Sequence, residues 1–150
     1  MNEVAIKPLA ITAERFALYG DVVHASSATK TAMNDARFER FNDLANVDVD
    51  GGHVAISIAR CKTAAKFPYR VDMVERHPHG SQAFIPLAPF SFIVVVAPAG
   101  EAVDAVDLRA FVTNGTQGIN YHKGVWHMPL IALEAGQEFL IVDRAPRKDN

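Results

Sequence analysis

The chain has 150 residues, of which 49% are hydrophobic and 21% are charged, and its formal net charge is −2 at pH 7. These values are typical of a globular protein, so we predict a single domain over residues 1–150. The basic residues form no cluster that would favour nucleic acid, and the one cysteine, Cys61, excludes an intrachain disulfide and a multi-cysteine zinc site.

The first predicted element is a short helix over residues 11–19, because Thr12 can cap it and Gly20 can end it. A strand over residues 21–24 and a polar loop over residues 25–30 follow. Strand signals dominate the rest of the chain, with a tight glycine turn at residues 51–52. The further strands are predicted over residues 36–41, 53–61, 82–86, 90–97, 110–113, 125–133 and 139–143, and residues 145–150 are predicted to be a frayed tail.

Residues 92–97 are apolar at every position, which predicts a strand that is buried on both faces. Many short strands with regular breakers indicate a β-sandwich or β-barrel. The longest apolar run, over residues 92–99, is far shorter than the ~20 residues of a membrane helix. Since the N-terminus also lacks the pattern of a secretory signal, we expect a cytoplasmic protein that contacts no membrane.

Four of the six histidines fall in two short segments, each at a predicted junction of turn and strand. If the first segment, residues 75–84, begins as an extended strand, Glu75 and His77 point to the same face. In the second segment, residues 118–127, a glycine turn leads to His127 at the start of a new strand. A single histidine is usually structural, but this grouping favours a functional site.

Both segments resemble the metal-binding motifs of cupins, which have the forms H-x-H-x(3–4)-E and P-x-G-x-x-H. Residues 77–82 read His-x-His-x-x-Gln, and residues 122–127 read His-x-Gly-x-x-His. The resemblance implies an all-β, cupin-like β-barrel or jelly roll with a short N-terminal helix. It also implies a metal site formed by His77, Gln82 and His127.

The chain further resembles the ureidoglycolate lyase family along nearly its whole length. This resemblance implies a lyase that cleaves (S)-ureidoglycolate into glyoxylate and urea during allantoin and purine degradation. It also implies a homodimer and a divalent metal, with nickel favoured and manganese or no metal as alternatives. The matching stretches are FALYGDV (16–22), ERFNDLA (39–45), ISIAR (56–60), ERHPHGSQAFIP (75–86), LRAFVTNGTQGINYH (108–122) and WHMPL (126–130).

Cleavage of ureidoglycolate requires a base for the hydroxyl, a positive charge for the developing oxyanion and an acid for the leaving nitrogen. Histidine suits proton transfer because its pKa of about 6.5 permits both protonation states near neutrality. We therefore expect His77, His127 and Glu75 to be the catalytic residues. Guanidinium groups bind carboxylates bidentately, and amide, phenol and imidazole groups can hydrogen-bond the rest of the molecule. The expected substrate-binding residues are Arg60, Arg76, Gln82, Asn120, Tyr121 and His122.

Two other functions remain open from the sequence. The first is another small-molecule cupin enzyme, such as an isomerase or a dioxygenase, that uses the same histidines. The second is a ligand-binding β-barrel without catalysis. Retained iron or oxygen-dependent activity would favour the first alternative. Binding of glyoxylate or ureidoglycolate without release of urea would favour the second.

Overall fold

A computed structural model describes residues 3–26 and 30–146. Within these residues the chain forms two five-stranded sheets, a separate two-stranded sheet and one short helix, so the prediction of an all-β, cupin-like fold with an N-terminal helix is confirmed. The elements are β1 Leu9–Ala10, α1 Ala13–Phe16, β2 Gly20–Val23, β3 Lys30–Met33, β4 Phe38–Phe41, β5 His53–Arg60, β6 Gln82–Pro86, β7 Phe92–Ala97, β8 Arg109–Val112, β9 Gly118–Tyr121, β10 Trp126–His127, β11 Ile131–Ala132 and β12 Glu138–Ala145, with a 3-10 turn at Ala105–Asp107.

The helix α1 is a single turn. The Thr12 side chain accepts a hydrogen bond from the Arg15 backbone N–H at 3.1 Å, as its capping position predicts. Phe16 anchors the turn because its side chain is fully buried in the core. The chain then enters β2 at Gly20, where a Cβ atom would lie only 1.9 Å from the Asn120 carbonyl oxygen. Glycine is therefore required where β2 pairs with β9.

The first sheet has the strand order β1-β8-β7-β10, and β11 also pairs with β7. All six residues of β7 are buried, which confirms the prediction of a strand covered on both faces. One face of β7 carries Phe92 and Val94 into the main core, whereas the other carries Ile93 and Val95 into a second apolar cluster. This second cluster packs the segment around Val74 against the sheet, and the segment leads directly into the first histidine segment.

The second sheet has the strand order β2-β9-β6-β12-β5, with antiparallel pairing throughout. The core lies between the two sheets. Phe92 of the first sheet meets Phe139 of the second edge to face, with ring centroids 5.0 Å apart and an angle of 84° between the rings. Such aromatic pairs contribute about 0.5–1.5 kcal/mol beyond the burial of their area. This packing holds β9 and β10 in fixed positions, and both strands carry site residues.

Several boundaries differ from the predictions for local reasons. The predicted strand 125–133 is divided into β10 and β11, and Pro129, which lacks a backbone donor, lies between them. The predicted strand 36–41 begins only at residue 38 because residues 34–36 have positive φ angles and form the turn of the β3–β4 hairpin. Within the predicted loop 25–30, Lys30 already belongs to β3, and residues 27–29 lie outside the described residues, as do residues 147–150 of the predicted tail. No helix in the described ranges is long and apolar enough to cross a membrane.

Candidate active site

The two histidine segments lie side by side as neighbouring extended chains. Glu75 and His127 form an antiparallel bridge in which each backbone N–H donates to the carbonyl of the other at 2.8 Å. The Gly124 N–H donates to the His77 carbonyl at 3.0 Å and continues the pairing. Opposed residues share a face of the sheet, and alternation places His77 on the same face as Glu75. The backbone thus brings Glu75, His77 and His127 together.

These three side chains form what we call the histidine–glutamate cluster. Glu75 Oε1 lies 3.8 Å from His127 Nε2 and 4.0 Å from His77 Nε2. The two imidazole ring centroids are 5.1 Å apart. The His127 side chain is 3% exposed, whereas those of His77 and Glu75 are 43% and 46% exposed. The cluster therefore has a buried side formed by His127 and an open side through which a small molecule can approach.

The protonation state of His127 follows from its surroundings. Its Nδ1 lies 3.2 Å from the Val125 carbonyl oxygen, which can only accept, so Nδ1 carries the proton in the neutral ring. The Nε2 lone pair then points toward Glu75 and His77. Burial lowers the pKa of His127 and outweighs the Val125 hydrogen bond, which raises it. His127 is therefore a neutral imidazole at pH 7, the form that serves as a metal ligand or a base.

Three buried polar atoms at this place have no hydrogen-bond partner among the described residues: His77 Nε2, His127 Nε2 and the Tyr121 hydroxyl. The Tyr121 ring stacks on His127 with centroids 4.2 Å apart and an angle of 10° between the rings. Burial raises the pKa of Tyr121, so its hydroxyl remains a proton donor. Since buried polar groups are nearly always hydrogen-bonded, this grouping makes the place a candidate ligand position. A fourth such atom, Asn120 Oδ1, belongs to the other face of β9.

The donor atoms of the cluster fit a divalent metal ion. One ligand atom from each of Glu75, His77 and His127 can be chosen so that all lie within 4.8 Å of one another. Ligand atoms about 2.1 Å from a common ion lie roughly 3–4 Å apart, so small side-chain rotations suffice. Two neutral imidazoles and one carboxylate are a ligand set that first-row transition metals accept.

The two arginines that were expected to bind substrate point elsewhere. Arg76 lies on the opposite face of its strand from Glu75, where it donates to the Gly100 carbonyl at 2.9 Å and covers the Trp126 ring at 5.2 Å. Arg60 forms a solvent-exposed ion pair with Glu138 at 2.9 Å. It lines a larger cavity of about 630 Å³ at the far end of β5 and β12, which includes no residue of the cluster.

Gln82, which was expected to complete the metal site, donates its side-chain amide to Asp143 Oδ2 at 3.0 Å. It starts β6 and pairs with both Tyr121 and Asp143. The side chain that the fold places between the two imidazoles is that of Glu75. The cupin-like spacing predicts residue 82 as a ligand, which stays a prediction, and the extended backbone before His77 also brings the Glu75 carboxylate to the two imidazoles.

Asn120 and His122 lie on the face of β9 opposite to Tyr121. Asp21 Oδ2 accepts from the Asn120 amide at 3.0 Å and from the Asn46 backbone N–H at 2.9 Å, and it lies 3.0 Å from His122 Nε2. Burial alone would raise the pKa of Asp21, but these hydrogen bonds together lower it. The network fastens the segment around Asn46 to the sheet. Of the three residues, Tyr121 is the one that contacts the cluster, and the substrate-binding role of Asn120 and His122 stays a prediction.

Sequence reasoning overlooked two residues beside the cluster. Asp143 and Arg144 line a cavity of about 200 Å³ whose wall also includes His77 and Gln82. They reach it because β12 pairs with β6 over a separation of some sixty residues. The only signal in the sequence is a pair of charged residues at the end of an apolar strand.

The described residues form a mainly β, cupin-like fold that brings two histidines and a carboxylate together at one place. Residues 2–150 match the family model described as Ureidoglycolate lyase. A relative from Burkholderia cepacia is 50% identical over 144 residues, which cover 93% of this chain and 80% of the relative. The chain belongs to the ureidoglycolate lyase family.

Two further relatives agree over the whole chain. Those from Pseudomonas fluorescens (strain Pf0-1) and Pseudomonas savastanoi pv. phaseolicola (strain 1448A / Race 6) are 45% and 43% identical over 152 residues. The matches cover 100% of this chain and 89% and 88% of the relatives. All three relatives bear the name ureidoglycolate lyase.

Proposed function

We propose that this protein is a lyase that cleaves (S)-ureidoglycolate into glyoxylate and urea. The observation that carries the proposal is the histidine–glutamate cluster, in which two buried Nε2 atoms face one carboxylate without hydrogen-bond partners. The names of the relatives supply the substrate. On the same family resemblance we place the reaction in the cytoplasm, in the degradation of allantoin.

The reaction is an elimination at one carbon that bears a hydroxyl, a carboxylate and a ureido nitrogen. The hydroxyl loses its proton, its oxygen forms the aldehyde C=O bond, and the electron pair of the C–N bond leaves with the nitrogen. A proton on that nitrogen completes urea. No water is consumed, so the site must move protons and exclude side reactions rather than activate water.

We propose that Glu75, His77 and His127 hold a divalent cation, with nickel or manganese as the candidates. When bound, the cation supplies the positive charge that polarises the substrate hydroxyl. The Val125 carbonyl keeps the His127 lone pair aimed at the site. The Tyr121 hydroxyl stays protonated and can donate a hydrogen bond to the substrate oxygen on which charge develops. In a protein without the cation, His127 Nε2 is the proton acceptor and Glu75 stabilises the imidazolium.

The turnover assay mixes the purified protein with freshly prepared ureidoglycolate and follows glyoxylate and urea. Release of both products well above the spontaneous rate is expected, with added nickel or manganese increasing it. If neither product exceeds the spontaneous rate under any of these metal conditions, the proposal fails.

We also propose that two copies associate through β5. This strand is the edge of its sheet, and an edge presents unpaired backbone groups. Its outward side chains Val54, Ile56 and Ile58 are 50%, 71% and 62% exposed, and they continue onto Leu140 and Val142 of the neighbouring strand. A continuous apolar face on an unpaired edge favours a homodimer over a monomer.

A further inference from the structure

The cavity beside the cluster has a distinct charge arrangement. It encloses about 200 Å³ and shares His77 with the cluster, so a molecule in it lies next to that residue. Asp143 and Arg144 both line it, and because they are neighbours on β12 their side chains leave the strand on opposite faces, Asp143 beside Gln82 and Arg144 beside Gly80. The Gln82 amide occupies one oxygen of the Asp143 carboxylate, Oδ2. A ligand that carries a carboxylate complements the positive charge of Arg144 in this cavity.

The Arg144 side chain is held by packing of its aliphatic part and by hydrogen bonds from its Nε atom. Its Nε donates to the Asp50 carbonyl at 2.8 Å and to the Gly51 carbonyl at 3.2 Å. Among the described residues, neither of its terminal nitrogens is in a hydrogen bond or a salt bridge. The absence of a side chain at Gly80 is what admits the stem, because a Cβ there would lie 2.8 Å from the Arg144 Cβ. The fork of the guanidinium is therefore oriented while its donors remain available.

The two arginines that were expected to bind substrate are engaged in other contacts. Arg76 donates to the Gly100 carbonyl and covers the Trp126 ring, and Arg60 is paired with Glu138. A carboxylate in the cavity next to His77 thus has Arg144 as its cationic neighbour in the cavity wall. A fixed guanidinium with two available donors is the geometry that binds a carboxylate bidentately.

We propose that Arg144 binds the carboxylate of the substrate and thereby positions its hydroxyl at the histidine–glutamate cluster. This inference rests on the proposed function and adds the carboxylate subsite to it. Arg144 is a substrate-binding residue whose contact is with the carboxylate, the part of the substrate that does not react.

The test compares Arg144→Gln with wild type in steady-state turnover of ureidoglycolate. Loss of a charge-assisted bidentate contact predicts a KM increase of about 10- to 100-fold, with kcat changing less than KM. Arg144→Lys keeps the charge without the fork, so an intermediate KM is expected. Arg109→Gln is the matched control, because Arg109 is exposed and also donates to two backbone carbonyls, at 2.9 Å each. Its KM should equal that of wild type.

A second measurement separates this inference from the proposed function. Calorimetry with glyoxylate as the probe measures carboxylate binding without turnover, and Arg144→Gln should weaken it at least about tenfold while Arg109→Gln does not. If wild type fails to cleave ureidoglycolate but this difference in glyoxylate binding is found, the lyase proposal falls and the carboxylate subsite stands. Equal glyoxylate affinity in wild type and Arg144→Gln, or an equal loss in Arg109→Gln, overturns the subsite. If Arg144→Gln does not fold, unchanged KM and glyoxylate affinity in Arg144→Lys overturn it as well.

Discussion

At the scale of single residues, His127 combines three properties that a structural histidine rarely has together. It is buried, its Nδ1 is fixed by the Val125 carbonyl, and its Nε2 has no hydrogen-bond partner among the described residues. Leaving a buried polar atom unpaired costs about 1–3 kcal/mol. Because His77 carries a second unpaired imidazole nitrogen beside it, we propose that both atoms bind a ligand.

Substitution of His127 by asparagine tests this role. The asparagine amide can replace Nδ1 as the donor to the Val125 carbonyl, but it has no atom at the position of Nε2. Turnover of ureidoglycolate should fall at least about 100-fold, while the melting temperature stays within about 5 °C of wild type. His24→Asn, at an exposed histidine, is the control and should keep full activity. Unchanged turnover in His127→Asn would remove His127 from the mechanism.

The lowered pKa of His127 also predicts a pH dependence of stability. In the metal-free protein, His127 takes up its proton in the unfolded chain near pH 6.5 but only at lower pH when folded. The unfolded state then binds more protons, so the free energy of unfolding should decrease as the pH falls below about 6.5. Denaturant titrations between about pH 5 and 7.5 measure this. The slope should be smaller in His127→Asn, and an identical slope would contradict the assigned pKa shift.

At the scale of elements, the sequence predicted the strands that rely on side-chain type. Residues 82–86 are found as β6, and residues 92–97 as the core strand of the first sheet, because β-branched and aromatic side chains favour buried strands. The strand β9 went unpredicted since it begins with a glycine and contains a polar residue, Asn120, whose partners come from distant parts of the chain. Local pattern cannot reveal such partners.

The same limit applied to the candidate site. His77 and His127 were found from their clustering in sequence, and alternation placed Glu75 on the face of His77. The contact between Gln82 and Asp143, and the position of Arg144, depend on the register of β12 against β6. That register is set by tertiary packing rather than by any nearby residue. The positions of Asp143 and Arg144 beside the cavity therefore could not be predicted from the sequence.

A prediction about elements concerns the edge strand β5 and the proposed dimer. Ile58→Lys places a charge on its apolar outer face and should shift the protein from dimer toward monomer, because burying an unpaired ammonium group is unfavourable. Sedimentation velocity measures the change. Val106→Lys is the matched control, since Val106 is 74% exposed but lies in the 3-10 turn away from this face. A wild-type monomer, or an Ile58→Lys dimer as stable as that of wild type, would contradict the proposed interface.

At the scale of the whole molecule, the two packed sheets hold the cluster and the neighbouring cavity in one rigid frame. The cluster draws on β10 and the segment before β6, and the cavity draws on β6 and β12. A ligand that bridges these elements should therefore stabilise the entire fold. The family match over residues 2–150 includes the whole stretch from Glu75 to Arg144 that supplies the cluster and the cavity.

Metal binding should appear as a change in global stability. A ligand at 100 times its Kd adds about 2.7 kcal/mol to the native state, which corresponds to a melting temperature increase of roughly 5–10 °C for a chain of this size. Chelator-treated protein should show this increase with nickel or manganese in differential scanning calorimetry. Glu75→Gln should reduce it, since it removes the one charged ligand. An equal increase in both proteins would place the metal elsewhere.

The nitrogen balance of the reaction tests the lyase proposal most directly. Purified protein is incubated with ureidoglycolate, and glyoxylate, urea and ammonium are measured in the same samples. Elimination predicts glyoxylate and urea in equal amounts, with no ammonium beyond the control without protein. Glyoxylate accompanied by ammonium instead of urea would mean that the site hydrolyses the ureido group, and it would contradict the mechanism proposed for the histidine–glutamate cluster.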